Sequence, residues 1–111
     1  MKRPAPTELD ELTLKLTRET STIAWSELQR FFASGHAVYV DASLDLIAVA
    51  KQFSNDDKAG IEQHMKTNAV GLVSDETAAQ WLEQDMNVWA VVVRPWVLVQ
   101  AHSDNETQDR L

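Results

Sequence analysis

Apolar residues recur along this chain in two rhythms. From Glu8 to about Thr20, Leu9, Leu12 and Leu16 return every three or four positions, with Glu11 four residues ahead of Lys15 on the polar side. That spacing predicts an amphipathic helix, with Thr7 placed to cap it. A second helix is predicted to begin after Ser21 or Thr22, to put Trp25, Leu28 and Phe32 on one face with Phe31 beside it, and to stop at Gly35. The rhythm then changes. Ala37 to Asp41 (AVYVD) is β-branched and aromatic, and reads as a short strand. The following SLDLIAVAKQF fits either a helix capped by Ser43, with Leu44, Ile47 and Phe53 inward, or the return strand of a hairpin. Its alanines, and a turn lacking Gly or Asn, favour the helix. Asn55, Asp56 and Asp57 stand where a further helix begins, running to about Lys66. Val70 to Val73 reads as a short strand, and Ser74 or Asp75 caps a helix with Ala78, Trp81 and Leu82 as its apolar stripe.

Val88 to Gln100 is the most strand-like stretch, and its centre, VVVRPWVLVQ, poses the main structural question. A tight hairpin centred on Arg94 and Pro95 places proline at the second turn position, where a cis bond is required. The expectation is therefore one strand system, bent or bulged at Arg94 and Pro95, with the proline's missing donor at an unpaired edge. Trp89 and Trp96 are seven positions apart, which on a regular strand sends them to opposite faces unless a bulge at Pro95 changes the phase. The resulting fold class is α+β: a small sheet of three to four short strands covered, mainly on one face, by about five helices. Residues 7–102 are expected to form this single domain, with residues 1–6 a flexible leader and 103–111 a disordered acidic tail.

Composition changes this picture in three respects. At 111 residues the chain suits one domain with a true core. The longest nearly apolar run, Val88 to Val99, contains Arg94 and Pro95 and falls short of the roughly 20 residues that cross a bilayer as a helix. No apolar signal-peptide core follows MKRPAPTELDEL, so a cytoplasmic location is expected, and the absence of cysteine fits it. The net charge of −7 is uneven: residues 1–54 carry seven acidic and six basic side chains, residues 55–111 ten and four. With no basic cluster, nucleic-acid binding is disfavoured. A helix-turn-helix reading of the segments 44–54 and 56–66 fails on the same ground, because Asp56 and Asp57 would meet the DNA.

Three stretches, IAWSELQRFFASG, VDASLDLIAVAKQFSNDDKAGIE and NVWAVVVRPWVLVQ, resemble a family of short bacterial proteins known only as a domain of unknown function. The resemblance spans about Leu9 to Gln100. It implies a stand-alone bacterial cytoplasmic protein, and no reaction, cofactor or site residue comes with it.

Candidate chemistry is sparse. Asp41, Asp45, Asp56, Asp57 and His64 form the best carboxylate and histidine set; on a helix Asp57 and His64 share a face. Each has an ordinary local role as cap, strand end or half-exposed side chain, and the spacing matches no metal-ligand signature. There is no GxSxG, and Gly35, Gly60 and Gly71 are too scattered for a phosphate loop. No catalytic residue, metal or cofactor is expected. Trp25 and Trp81 read as core. The favoured reading is a non-enzymatic protein-interaction or oligomerisation module, with Arg94, Trp96 and Trp89 on the C-terminal strand as contact residues. The alternative is a small enzyme or ligand-binding protein with a site near Asp41, Asp57 and His64.

Overall fold

The structure, a computed structural model, describes residues 11–102. In chain order the elements are α1 (Glu11–Glu19), β1 (Ser21–Ala24), a 3-10 turn (Trp25–Leu28), α2 (Gln29–Ala33), β2 (Ala37–Val40), α3 (Leu46–Ser54), α4 (Lys58–Lys66), β3 (Val70–Leu72), α5 (Asp75–Glu83), β4 (Asn87–Val93) and β5 (Trp96–Ala101). The α+β class stands, with five strands rather than three or four. The leader, the tail and the Thr7 cap lie outside the described residues.

Side chains set the helix boundaries. Asp45, rather than Ser43, caps α3 by accepting from the Ile47 and Ala48 amides; Asp57 caps α4 through Gly60 N–H, and Ser74 caps α5 through Thr77 N–H. At the other ends one device recurs. After α2, α3, α4 and α5, the residues Gly35, Asp56, Asn68 and Asp85 take positive φ. The amide that follows each of them closes back onto a carbonyl five residues earlier: His36 on Phe31, Asp57 on Gln52, Ala69 on His64 and Met86 on Trp81. Asp and Asn tolerate this left-handed geometry better than other residues with a Cβ. Asp56 therefore ends α3 and does not begin α4.

The sheet order is β1-β4-β5-β2-β3, antiparallel except where β5 runs parallel to β2. Two expectations are corrected here. Ser21–Ala24 is not helical: it pairs with Asn87–Ala90 of β4, and the Trp25, Leu28, Phe32 spacing is met by the 3-10 turn and α2 instead. The C-terminal stretch is a hairpin, with Val93 paired to Trp96 across a cis Arg94–Pro95 bond. The ladder from Val88–Ala101 to Val93–Trp96 satisfies backbone groups that a single bent strand would leave to the edge. The turn also resets the phase, so Trp89 and Trp96 lie on the same face rather than opposite ones.

Helices cover both faces, not mainly one. On one side α1 and α3 bury Leu16, Leu46, Val49 and Ala50 against Val38, Val40, Val70, Val91 and Leu98. On the other, the 3-10 turn and α5 bury Trp25, Leu28, Ala78 and Trp81 against Ala37, Val88, Val97 and Val99, with Phe31 and Phe32 of α2 beside them. A central strand apolar on both faces needs two helical layers. Trp25 and Trp81 meet edge to face with ring centroids 5.2 Å apart, and Trp25 Nε1–H donates to the Ala78 carbonyl at 3.1 Å.

Candidate functional site

The hairpin tip builds one wall of a cleft. It lies between α1, the end of α3 and the β4–β5 turn, encloses about 710 Å³, and is lined by Leu12, Leu16, Phe53, Val92 and Val93 together with Lys15, Glu19, Ser54 and Arg94. Val92 is 50% exposed. Two cations thus stand against one carboxylate around an apolar floor, on a chain whose net charge is −7. Neither Lys15 nor Arg94 has an ion-pair partner among the described residues.

The three expected contact residues are separated. Arg94 lines the cleft. Trp96 is half-buried and packs edge to face against His36 and Phe53, at 5.7 and 6.4 Å between ring centroids, so it supports the cleft wall from within. Trp89 sits at the opposite end of the hairpin, 36% exposed and stacked on His102 at 4.8 Å. The body of β5 is central in the sheet, and Val97, Leu98 and Val99 are buried. It offers a partner only its ends.

The carboxylate and histidine set divides likewise. Asp45, Asp57 and His64 line one groove of about 600 Å³ between α3 and α4, with Lys51, Gln52 and Asn55. Both carboxylates are engaged as helix caps there. Among the described residues, no group of three or more His, Asp or Glu side chains is arranged to hold a metal ion. Asp41 is elsewhere. It accepts from Ser43 Oγ–H at 2.6 Å, Ser43 N–H at 3.0 Å and the Tyr39 hydroxyl at 3.1 Å, and Tyr39 stacks on Trp81 in the layer opposite α3.

This last network makes a pH prediction. The hydrogen bonds from the Ser43 hydroxyl, the Ser43 amide and Tyr39 hold the Asp41 carboxyl below its ordinary range. Burial first, and then the bond to Asp41 and its charge, push the Tyr39 phenol above its ordinary value near 10. The signs are opposite in effect. Asp41 contributes stability above its unfolded pKa that is lost as pH falls through the depressed folded value; Tyr39 contributes stability below its unfolded pKa that is lost as pH rises through the raised one. Tyr39 is the only tyrosine, so ultraviolet titration reads it directly. The expected midpoint lies above that of free tyrosine. In Asp41→Asn it falls part of the way back, because burial remains. A midpoint unmoved by Asp41→Asn means that the two groups do not interact.

Residues 11–101 match the family described as protein of unknown function (DUF2288), which is nearly the whole of the described chain. The chain belongs to this family. The NMR solution structure of PA1075 from Pseudomonas aeruginosa is similar to it, with 40% sequence identity, a TM-score of 0.74, and 90% of this chain and 94% of that chain covered. Among curated proteins, none matches the sequence. The family match takes in every element from α1 to β5, so the cleft, the α3–α4 groove and both sheet edges all lie within the DUF2288 region.

Sequence reasoning missed Lys15, Phe53 and Val92 as neighbours of Arg94. Lys15 and Phe53 occupy ordinary helical positions, and only the hairpin turn brings Arg94 to them. The one available signal was Val92 and Val93 directly before Arg94-Pro95, an apolar pair ending at a turn.

Proposed function

We propose that this chain works by protein contact and not by catalysis, with the cleft at the hairpin tip as its docking surface. The observation that carries this reading is the cleft itself: an apolar floor with Lys15 and Arg94 on its rim, neither ion-paired among the described residues, on an otherwise acidic protein. Its partner is a protein segment that brings apolar side chains for the floor and a carboxylate for the two cations. Arginine beside a desolvated apolar surface is a common binding anchor, and the opposite charge guides encounter. The bacterial cytoplasm is the compartment we assign, and nucleic acid is not the ligand, because two cations flanking an apolar floor do not track a phosphate backbone.

The test is capture from the native bacterium with three baits: the wild type, Lys15→Glu/Arg94→Glu and, as a control in the other groove, His64→Ala. One partner is expected on the wild type and the control and absent from the charge-reversed bait, and the purified pair should bind more weakly as salt rises. A partner retained by Lys15→Glu/Arg94→Glu overturns the assignment of the cleft.

One observation favours a second reading. Asp45, Asp57 and His64 share the α3–α4 groove, as a small polar ligand would need. With Asp41 held in the opposite layer and both remaining carboxylates occupied as caps, that groove supports ligand binding more readily than acid–base chemistry.

A further inference from the structure

An apolar row crosses the sheet on the α3 side. Val91, Leu98, Val38 and Leu72 are consecutive register partners on β4, β5, β2 and β3. The first three are buried, and Leu72 at the free edge is 60% exposed. The row runs off the sheet. Met65, also exposed, lies on α4, which packs beside β3.

The hydrogen bonds of β3 fix which of its groups are free. The Val73 amide donates inward to Ala37, and the Ala69 carbonyl accepts inward from Asp41. Alternation along a strand then turns Gly71 inward, and turns both backbone groups of Val70 and Leu72 outward. In an antiparallel ladder two outward residues flanking an inward one are self-complementary. Val70 can exchange both bonds with Leu72 of a second copy, Leu72 with Val70, and Gly71 faces Gly71 across the axis. That central pair is of the non-hydrogen-bonded kind, in which the two backbones come closest, to about 4.5 Å between Cα atoms.

Gly71 otherwise lacks a reason within the fold. Its φ is not positive, and an added Cβ would meet nothing within 4 Å, although glycine in a strand costs stability and often marks a close backbone approach. On its side of the sheet a recess of about 350 Å³, lined by Tyr39, Asn68, Ser74 and Thr77 among others, leaves the strand uncovered. The flanks of β3 also match: Lys66 precedes it, Asp75 and Glu76 follow it, and antiparallel pairing turns the basic flank of each copy toward the acidic flank of the other. No charged residue or proline lies within β3 to block such pairing.

We propose that β3 is a homodimer edge, pairing antiparallel with β3 of a second copy about a two-fold axis at Gly71, so that Leu72 of each copy is covered beside Val70 of the other. The two-fold closes the assembly at two copies, since the same surface serves both. This surface is separate from the hairpin cleft, and neither proposal depends on the other.

Analytical ultracentrifugation over a dilution series, with amide hydrogen exchange on the same samples, tests it. The wild type should sediment as a dimer that dissociates on dilution, with the Val70 and Leu72 amides slowed only in the dimer. Leu72→Lys should be monomeric with an unchanged circular dichroism spectrum, while Val92→Lys in the cleft should remain dimeric. A wild type that stays monomeric at its highest soluble concentration, with both amides exchanging freely, overturns the proposal. So does a Leu72→Lys dimer, or a different chain bound stoichiometrically to this edge. The exchange data decide the matter even if Leu72→Lys fails to fold.

Discussion

Trp25→Ala should be among the most damaging single changes in this protein, costing about 3–5 kcal/mol of unfolding free energy. The side chain has no exposed surface. It meets Phe32 and Trp81 edge to face, at 5.9 and 5.2 Å, so truncation removes apolar burial and two aromatic contacts together. It also leaves the Ala78 carbonyl without the indole donor. Small domains have about 5–15 kcal/mol in total, so the variant should be close to unfolding at room temperature. Urea denaturation followed by far-ultraviolet circular dichroism measures it. Trp25→Phe, which keeps a ring and loses the indole donor, should cost clearly less. A Trp25→Ala cost below about 1 kcal/mol would mean that the layer of the 3-10 turn, α2 and α5 is not packed as described.

The reason this residue could be assigned to the core from sequence, while its secondary structure could not, lies in what local spacing records. Trp25, Leu28 and Phe32 fall on one side of a continuous helix and equally on one side of a 3-10 turn followed by α2. Burial follows from either. What separates them is β1, four residues whose partner is β4, and a strand that short has no periodicity of its own. The helices α4 and α5 were legible because Asp57 and Ser74 announce their starts and apolar stripes follow. The α3 segment, apolar nearly all round, fitted a helix or a return strand and was only favoured as a helix. The Asp45 cap was visible as a helix-start residue, but Ser43 competed for the role until the structure showed it bonded to Asp41.

The hairpin shows the opposite case, in which a local preference was read correctly and outweighed. Proline at the second turn position does require a cis bond, and the chain has one. The cross-strand ladder from Val88–Ala101 to Val93–Trp96 is a non-local gain that no residue of the turn reports. The same limit hid the candidate surfaces. Lys15 meets Arg94 at the cleft only through the fold, and Leu72 looks like a core leucine in sequence because nothing in VGL marks an edge. Asp57 and His64 were placed together correctly, since seven residues on one helix keep a common face. Asp41 was grouped with them wrongly because strand alternation turned it, with Tyr39, to the other layer.

Leu98→Ala should be the matching loss in the α3 layer, about 2–5 kcal/mol and in the upper part of that range. The spread in such substitutions reflects how far the surroundings collapse into the space left behind. Collapse is restricted here. Leu98 has no exposed surface, and β5 is held on both sides, antiparallel to β4 and parallel to β2, so the strand cannot move toward α3 without breaking a ladder. Its register neighbours Val91 and Val38 are shorter, β-branched side chains with little rotamer freedom, and cannot reach across the gap. Two residues along the same strand, Gln100 Nε2 donates to the Asp41 and Leu44 carbonyls and ties the start of α3 to the sheet, which fixes the layer opposite the cavity. Leu98→Met, nearly equal in volume, should cost less than about 1.5 kcal/mol. Urea unfolding of both variants at one fixed protein concentration gives the comparison. Equal costs for Ala and Met would show a site tolerant of lost volume and a sheet free to shift against α3, contrary to the central placement of β5.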